Sequence, residues 1–301
     1  MQETILITAK STDYELLDSG GGRKLERYGK YIFSRPDPEA LWPAQLPASV
    51  WQRAELSFTR EGKSAKWHVA SGVPKEWIVS LEGLSFIIRP TTFKHTGLFP
   101  EQAANWRWVV EQIIAANRGT QKDISVLNLF GYTGGATLAA AKAGAHVVHV
   151  DGSKMAIAWA RENADASGLA DLPIRWILDD AKAFLKKEIK RGRYYDGIIM
   201  DPPTFGHGPK NELWKIEDDF MELLMLARQV LSADALFVLM SGYAAGYSPT
   251  AYENCLRAAM DGMPGTIASG ELALEESGSA DSLQTDTKRL LPAGIYARWS
   301  K

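Results

Sequence analysis

Apolar positions follow two different patterns along the chain. From Thr133 onward, short apolar runs alternate with longer segments whose apolar residues recur at helical spacing. Ser125-Val126-Leu127 predicts a strand, followed by an alanine-rich helix over Thr137–Ala143. His146–Val150 and Ile174–Leu178 predict the next strands, each followed by a helix, Lys154–Ala166 and Ala181–Ile189. Tyr195–Met200 predicts another strand, Phe220–Leu231 a helix and Ala235–Met240 a strand. Such alternation gives a parallel sheet covered by helices on both faces. Ile267–Leu274 and Ile295–Trp299 predict two further strands, with the polar stretch Glu275–Thr287 between them as a long exposed loop.

The first third of the chain has no such alternation. Gly20-Gly21-Gly22 predicts a turn and Lys30–Phe33 a short strand. Pro36, Pro38, Pro43 and Pro47 exclude a regular helix or central strand from about Ser34 to Pro47, because proline lacks the amide hydrogen that either would use. Trp77–Leu81 and Leu84–Ile88 flank Glu82-Gly83 as a β-hairpin. The expected organisation is a small β-rich domain over residues 1–89, then an α/β domain over residues 90–301 that begins with a helix over Gln102–Asn117.

Composition adds few constraints. At 301 residues the chain exceeds the common single-domain size, which agrees with two domains. The single Cys, Cys255, excludes an intrachain disulfide and cysteine-based metal sites, and fits a reducing compartment. Met1-Gln2-Glu3-Thr4 lacks the basic-then-apolar order of a signal peptide, and no apolar run reaches the roughly 20 residues that cross a bilayer. A cytoplasmic, non-membrane protein is expected. The net charge of −2 is unevenly spread: residues 1–118 carry 15 basic and 13 acidic side chains, the remainder 19 and 23. Arg23, Lys24, Arg27, Lys30 and Arg35 cluster, interleaved with Tyr28, Tyr31 and Phe33. That pattern is compatible with phosphate contacts and base stacking on RNA, and equally with a solvated hairpin whose aromatic face packs inward.

The chemistry concentrates at strand ends. Val126–Gly135 reads as strand, glycine turn, helix, the place where an open parallel sheet docks a ligand. Its glycines, Gly131, Gly134 and Gly135, fit neither the dinucleotide-binding nor the P-loop spacing. A glycine turn by itself is equally a plain tight turn. Three further stations follow at the same sheet edge: Asp151 after the second strand, Asp179-Asp180-Ala181 after the third, and Asp201-Pro202-Pro203-Thr204-Phe205 after the fourth. A carboxylate at the second strand end can accept from ribose hydroxyls, and one at the third from an adenine amino group, although Asp151 or Asp180 could each be a helix N-cap.

With these residues together, the chain resembles the class I S-adenosylmethionine-dependent methyltransferases, and within them the bacterial 23S (large-subunit) ribosomal RNA methyltransferases. The resemblance covers roughly His95 to the C-terminus. It is carried by His95-Thr96-Gly97-Leu98-Phe99 with Gln102, by Val126–Gly134, by Val150-Asp151, by Asp180 and by Asp201–Phe205. It implies a Rossmann-like sheet of about seven strands with the last, Ile295–Trp299, antiparallel. It also implies S-adenosylmethionine as cofactor, with ribose on Asp151, adenine near Asp180 and Ala181, and the methionine moiety against Asn128, Phe130, Gly131, Tyr132, Thr133 and Gly134. Asp201 borders the cofactor as well, and Thr96, Phe99 and Gln102 would close over it.

Asp201, Pro202, Pro203 and Phe205 form the expected catalytic turn. The two prolines donate no backbone hydrogen bonds and hold the turn rigid, leaving carbonyls for a substrate amine, and Phe205 can stack on a planar acceptor. The alternative is a core aromatic after a strand-ending proline pair. Relatives with (Asp/Asn)-Pro-Pro-aromatic motifs methylate planar nitrogens; here Thr204 is inserted before the aromatic. Gly206–Lys210 reads as a mobile loop whose His207 is either a substrate contact or base, or a solvated histidine. Ring-carbon methylation of cytosine needs a thiol nucleophile. Relatives with that activity carry it where this chain has Met240, in Leu239-Met240-Ser241-Gly242, and Cys255 reads as part of a helix core face with Tyr252, Leu256 and Ala259. The expected function is methylation of a base nitrogen of ribosomal RNA. Methylation of a small molecule or protein side chain, and a cofactor-binding module without catalysis, are the alternatives.

Overall fold

The computed structural model describes residues 4–61, 64–91, 94–118, 123–243, 246–277 and 288–301. Most of the stretch expected as a loop, residues 278–287, lies outside the described residues. The chain divides into two compact units: one of Met1–Leu6, Ala104–Leu272 and Gly294–Lys301, the other of Ile7–Ala103 and Ala273–Ala293.

Strand β1 (Thr4–Thr8) joins the large sheet described below. The strands β2 (Tyr14–Gly20), β3 (Arg23–Tyr28) and β4 (Tyr31–Pro36) form an antiparallel meander. A short helix α1 (Ala48–Trp51) leads to β5 (Leu56–Glu61), which runs parallel to β4 and pairs with β6 (Ser64–Val69), completing five strands. The hairpin β7 (Trp77–Leu81) and β8 (Leu84–Ile88) has the expected strands and turn; Glu82 and Gly83 take φ of 52° and 69°, the two left-handed residues of a tight hairpin turn.

The sequence pattern missed β2, β3, β5 and β6, and the reason for β2 and β3 is chemical. Their inward positions are not apolar throughout. Glu26 is fully buried and accepts from Arg35 Nη2 at 2.6 Å and Nε at 3.0 Å, and from the Tyr14 hydroxyl at 3.0 Å. The Tyr28 hydroxyl accepts from Arg35 Nη2 at 3.0 Å and donates to Glu26 at 3.3 Å. Burial alone would push the Glu26 carboxyl up; Arg35 and Lys24 beside it hold it below its usual range.

This network also engages much of the basic cluster. The aromatic residues pack inward, Tyr28 and Phe33 at 0% exposure and Tyr31 at 9%. Arg23 donates to Ser34, Ser57 and the Phe58 carbonyl, and Lys24 lies between Glu26 and Asp37. Arg27 bonds Glu15 and the Thr12 and Gly29 carbonyls. Four of the five cations are thus engaged internally. Arg289 closes the same unit: it donates to Asp18 at 2.7 Å, to the Ser19 carbonyl at 2.6 Å and to Glu276 at 2.9 Å.

The other unit is the expected α/β fold. Beyond a 3-10 turn at Pro100–Gln102, which belongs to the unit containing Ile7–Ala103, come α2 (Ala103–Asn117), β9 (Ser125–Leu129), α3 (Gly135–Lys142) and β10 (His146–Asp151). Then follow α4 (Lys154–Ala166), β11 (Ile174–Leu178), α5 (Ala181–Arg191) and β12 (Gly197–Met200). A small hairpin, β13 (Phe205–His207) and β14 (Leu213–Lys215), occupies the segment expected as a mobile loop. The chain ends with α6 (Ile216–Gln229), β15 (Phe237–Gly242), α7 (Pro249–Ala259), β16 (Thr266–Glu275) and β17 (Leu290–Ser300).

The sheet order is β1-β16-β17-β15-β12-β9-β10-β11, with β9 to β12 and β15 parallel and β17 antiparallel to β15. The seven expected strands are present, and β1 adds an eighth at the edge. Alternate residues of the central strands face opposite sides, as burial on both faces requires. Leu127, Ile198 and Val238 pack under α5, α6 and α7, whereas Val126, Ile199 and Leu239 pack under α2 and α3.

Breaking a buried ion pair leaves an uncompensated charge. Glu26→Leu is therefore expected to cost about 3–5 kcal/mol in urea unfolding, and Glu26→Leu with Arg35→Leu to recover a large part of that loss. A double variant no more stable than the single one would contradict this account.

Candidate active site

Strand register brings the stations to one level. Leu129 of β9 lies opposite Val150 of β10 and Met200 of β12, so the next residues, Phe130, Asp151 and Asp201, leave the sheet side by side. Asp151 pairs in turn with Leu178, after which come Asp179 and Asp180. Met200 lies opposite Met240, which puts Ser241 beside Asp201.

The loop after β9 is tightly specified. Phe130 and Tyr132 both adopt left-handed backbone, φ 57° and 47°, a conformation that side chains disfavour and that persists where the surroundings enforce it. Here the enforcing contacts are hydrogen bonds donated by backbone amides. The Gly131 amide donates to the Val150 carbonyl at 3.1 Å, and the Tyr132 amide donates to Asp151 Oδ2 at 2.8 Å. Gly131 has no room for a side chain: a Cβ there would lie 2.4 Å from the His149 ring. Thr133 is buried, its carbonyl accepting from Asn163 at 2.9 Å, and Gly134 opens α3 with φ 90° and no side-chain cap.

Asn128 turns beneath the loop, not onto its surface. Its amide donates to Thr137 Oγ1 at 2.8 Å, and Thr137 bonds His149 Nδ1 at 2.9 Å. Burial pushes His149 down to about 3, so the imidazole is neutral. Asp151 Oδ1 accepts from the Ser153 amide at 2.7 Å, and burial raises its carboxyl despite the two amides. The N-cap of α4 is Ser153, so Asp151 is not a helix cap. Asp180 is one: its Oδ1 accepts from the Ala183 amide at 2.8 Å, with Ala181 as the first residue of α5. Thr96, Phe99 and Gln102 belong to the other unit. There the Thr96 hydroxyl is buried without a partner among the described residues, and Phe99 packs on His95 at 5.1 Å.

At the fourth strand end, burial pushes Asp201 up to about 6, partly opposed by a hydrogen bond from the buried Ser241 hydroxyl. Pro202 is buried and Pro203 exposed. Phe205 is 56% exposed, which removes the core-aromatic alternative, and its ring meets that of His207 edge-on at 5.3 Å. The Pro203 carbonyl, expected to be free for a substrate, accepts from Trp214 Nε1 at 2.6 Å. Cys255 is partly buried and packs against the core that holds Tyr252, Leu256 and Ala259, as expected of a structural residue. Sequence reasoning missed Ser241, Trp214 and His149 as neighbours of the site. Only Ser241 had a signal, its place beside Met240 at a strand end.

The family model for S-adenosylmethionine-dependent methyltransferases matches residues 43–246. The chain belongs to this family. It is 40% identical to the S-adenosylmethionine-dependent methyltransferase of Agrobacterium tumefaciens, with a TM-score of 0.91 over 99% of this chain and 93% of that one. The SMU.776 protein, solved with S-adenosylhomocysteine, has the same fold: 19% identity and a TM-score of 0.70 over 96% of this chain and 75% of that one. Among curated relatives, the ribosomal RNA large subunit methyltransferase I of Aeromonas salmonicida is 31% identical over 207 residues, 67% of this chain. The chain spans about half the length of that relative, 50%.

The methyltransferase residues at this edge fit the cofactor. The uncapped start of α3 offers amide hydrogens for a carboxylate, and each Asp151 oxygen accepts one amide and so keeps a lone pair for a hydroxyl. Gly131→Ala should lower stability by about 1–3 kcal/mol through overpacking and weaken S-adenosylhomocysteine binding, with His149→Ala in the same chain relieving part of both. Calorimetric titration checks the binding; unchanged affinity in Gly131→Ala alone would contradict the steric account.

Proposed function

We propose that this methyltransferase modifies a planar nitrogen of a ribosomal RNA base, at the turn Asp201–Phe205. The observation that carries the reading is the common level of Phe130, Asp151 and Asp201 across three parallel strands, with exposed Phe205 four residues after Asp201. Its RNA component draws on the relatives named for ribosomal RNA. S-adenosylmethionine would supply a methyl group already activated by its sulfonium. Asp151 holds the ribose, Asp180 and Ala181 border the adenine, and Phe130 to Gly134 hold the methionine moiety. Asp201 accepts a hydrogen bond from the acceptor nitrogen, and Phe205 stacks on its ring and excludes water. A thiol-addition route to a ring carbon finds no support, since Met240 precedes Ser241 where relatives carry the cysteine and Cys255 packs against the core.

A second reading, a small-molecule or protein acceptor at the same turn, is favoured by one observation. Arg23, Lys24, Arg27 and Arg35 are engaged with their own unit, which removes much of the charge that would neutralise phosphates. Incubation with labelled cofactor and, in parallel, total RNA and a protein lysate separates the two readings. Label in RNA alone supports the first, label in protein alone the second.

The division of labour has its own test. Asp151→Ala should weaken S-adenosylhomocysteine binding by about 1–3 kcal/mol, whereas Phe205→Ala should leave it nearly intact and cut turnover. Equal losses of affinity would show the cleft is divided otherwise.

The ionised Asp201 carboxylate accepts from an N–H donor more strongly than the protonated acid, which keeps a weaker carbonyl acceptor and gains an O–H donor. Transfer should therefore rise as pH passes about 6 and level off above it. Asp201→Asn should abolish that limb of the pH–rate profile.

A further inference from the structure

The hairpin β13–β14 follows the acceptor turn directly and presents most of its residues to solvent, but one is buried. Phe205, His207, Leu213 and Lys215 are exposed; Trp214 is 4% exposed. Its indole makes two contacts of different kinds. The ring lies against Phe130 at 5.2 Å and 56°, and the N–H donates to the Pro203 carbonyl at 2.6 Å. Phe130 is the left-handed first residue of the cofactor loop, and Pro203 is in the acceptor turn. The far end of the hairpin meets a third station: the His207 carbonyl, Gly208 and Pro209 lie 3.5–3.6 Å from where a Cβ on Gly152 would stand, next to Asp151.

We propose that Trp214 is a positioning residue that couples the cofactor loop to the acceptor turn, so that filling the first fixes the second. The proposal rests on the assignment of the cofactor to Phe130–Gly134. A flat indole can be packed from one side by Phe130 while its single donor is committed on the other to a carbonyl. Movement of Phe130 is then transmitted to Pro203 through a rigid ring. The same bond selects what an acceptor meets. With the Pro203 carbonyl occupied, the Pro202 carbonyl is the one of the pair without a hydrogen bond among the described residues. Asp201 and Pro202, not the two prolines together, would face the acceptor nitrogen.

Hydrogen exchange on the full chain, with and without S-adenosylhomocysteine, tests this. Saturating ligand should slow exchange on the order of tenfold both at Phe130–Ala136 and at Thr204–His207. In Trp214→Phe, which keeps a ring on Phe130 but loses the donor, ligand should still slow the first segment, with affinity within about twofold of the parent. The second segment should no longer respond. A Trp that only stabilises the hairpin would raise exchange at Thr204–His207 equally with and without ligand, and that outcome overturns the proposal. If Trp214→Phe fails to fold, the parent protein still decides. Slowing at Phe130–Ala136 without slowing at Thr204–His207 refutes the coupling alone, whereas no slowing at Phe130–Ala136 refutes the cofactor-loop assignment beneath it.

Discussion

The site depends on the register of three parallel strands. Because Leu129, Val150 and Met200 lie in one row, the chain turns out of the sheet at the same height three times. A slip of one residue in β10 would send the Asp151 side chain to the other face and remove the acceptor for the Tyr132 amide. Left-handed Tyr132, in the loop after β9, would then lose the bond that holds it. The register is secured from both sides, by Leu127 and Ile198 under one helical layer and Val126 and Ile199 under the other. Packing far from the cleft thus sets the positions of the carboxylates within it.

Much of this was legible in the sequence because buried parallel strands are written as unbroken apolar runs between helical segments. Gly197–Met200 and Phe237–Met240 are of that kind, and the Asp residues at the ends of β10, β11 and β12 lie together at one edge of the sheet. The smaller unit was largely illegible for a physical reason. β2 and β3 bury Tyr14, Glu26 and Tyr28 around Arg35, so the inward face reads as polar and the period of two disappears. In a cluster of cations that resembles a nucleic-acid patch in one dimension, Arg23, Arg27 and Arg35 make hydrogen bonds within their own unit.

Within the site, what the sequence conceals is what tertiary contacts impose. Asp180 has the residue type of a ligand station and of a cap, and it does cap α5 through one oxygen. Asn128 sits in the loop motif yet bonds downward to Thr137. Trp214, eleven positions beyond Pro203, has no local signal that it returns to that carbonyl, because the return depends on the hairpin register Gly206 to Trp214.

His149 beneath Gly131 has an electrostatic consequence. An ordinary histidine gains charge as the medium turns mildly acidic, and here that charge would rise directly beneath Gly131, under the loop we propose for a sulfonium ligand. Burial keeps this imidazole uncharged down to about pH 3. The floor of the loop therefore stays electrically silent while the carboxylates around it set the potential. A bulky uncharged ring, which a lysine or arginine could not imitate, fills the space beneath Gly131 without placing a charge there.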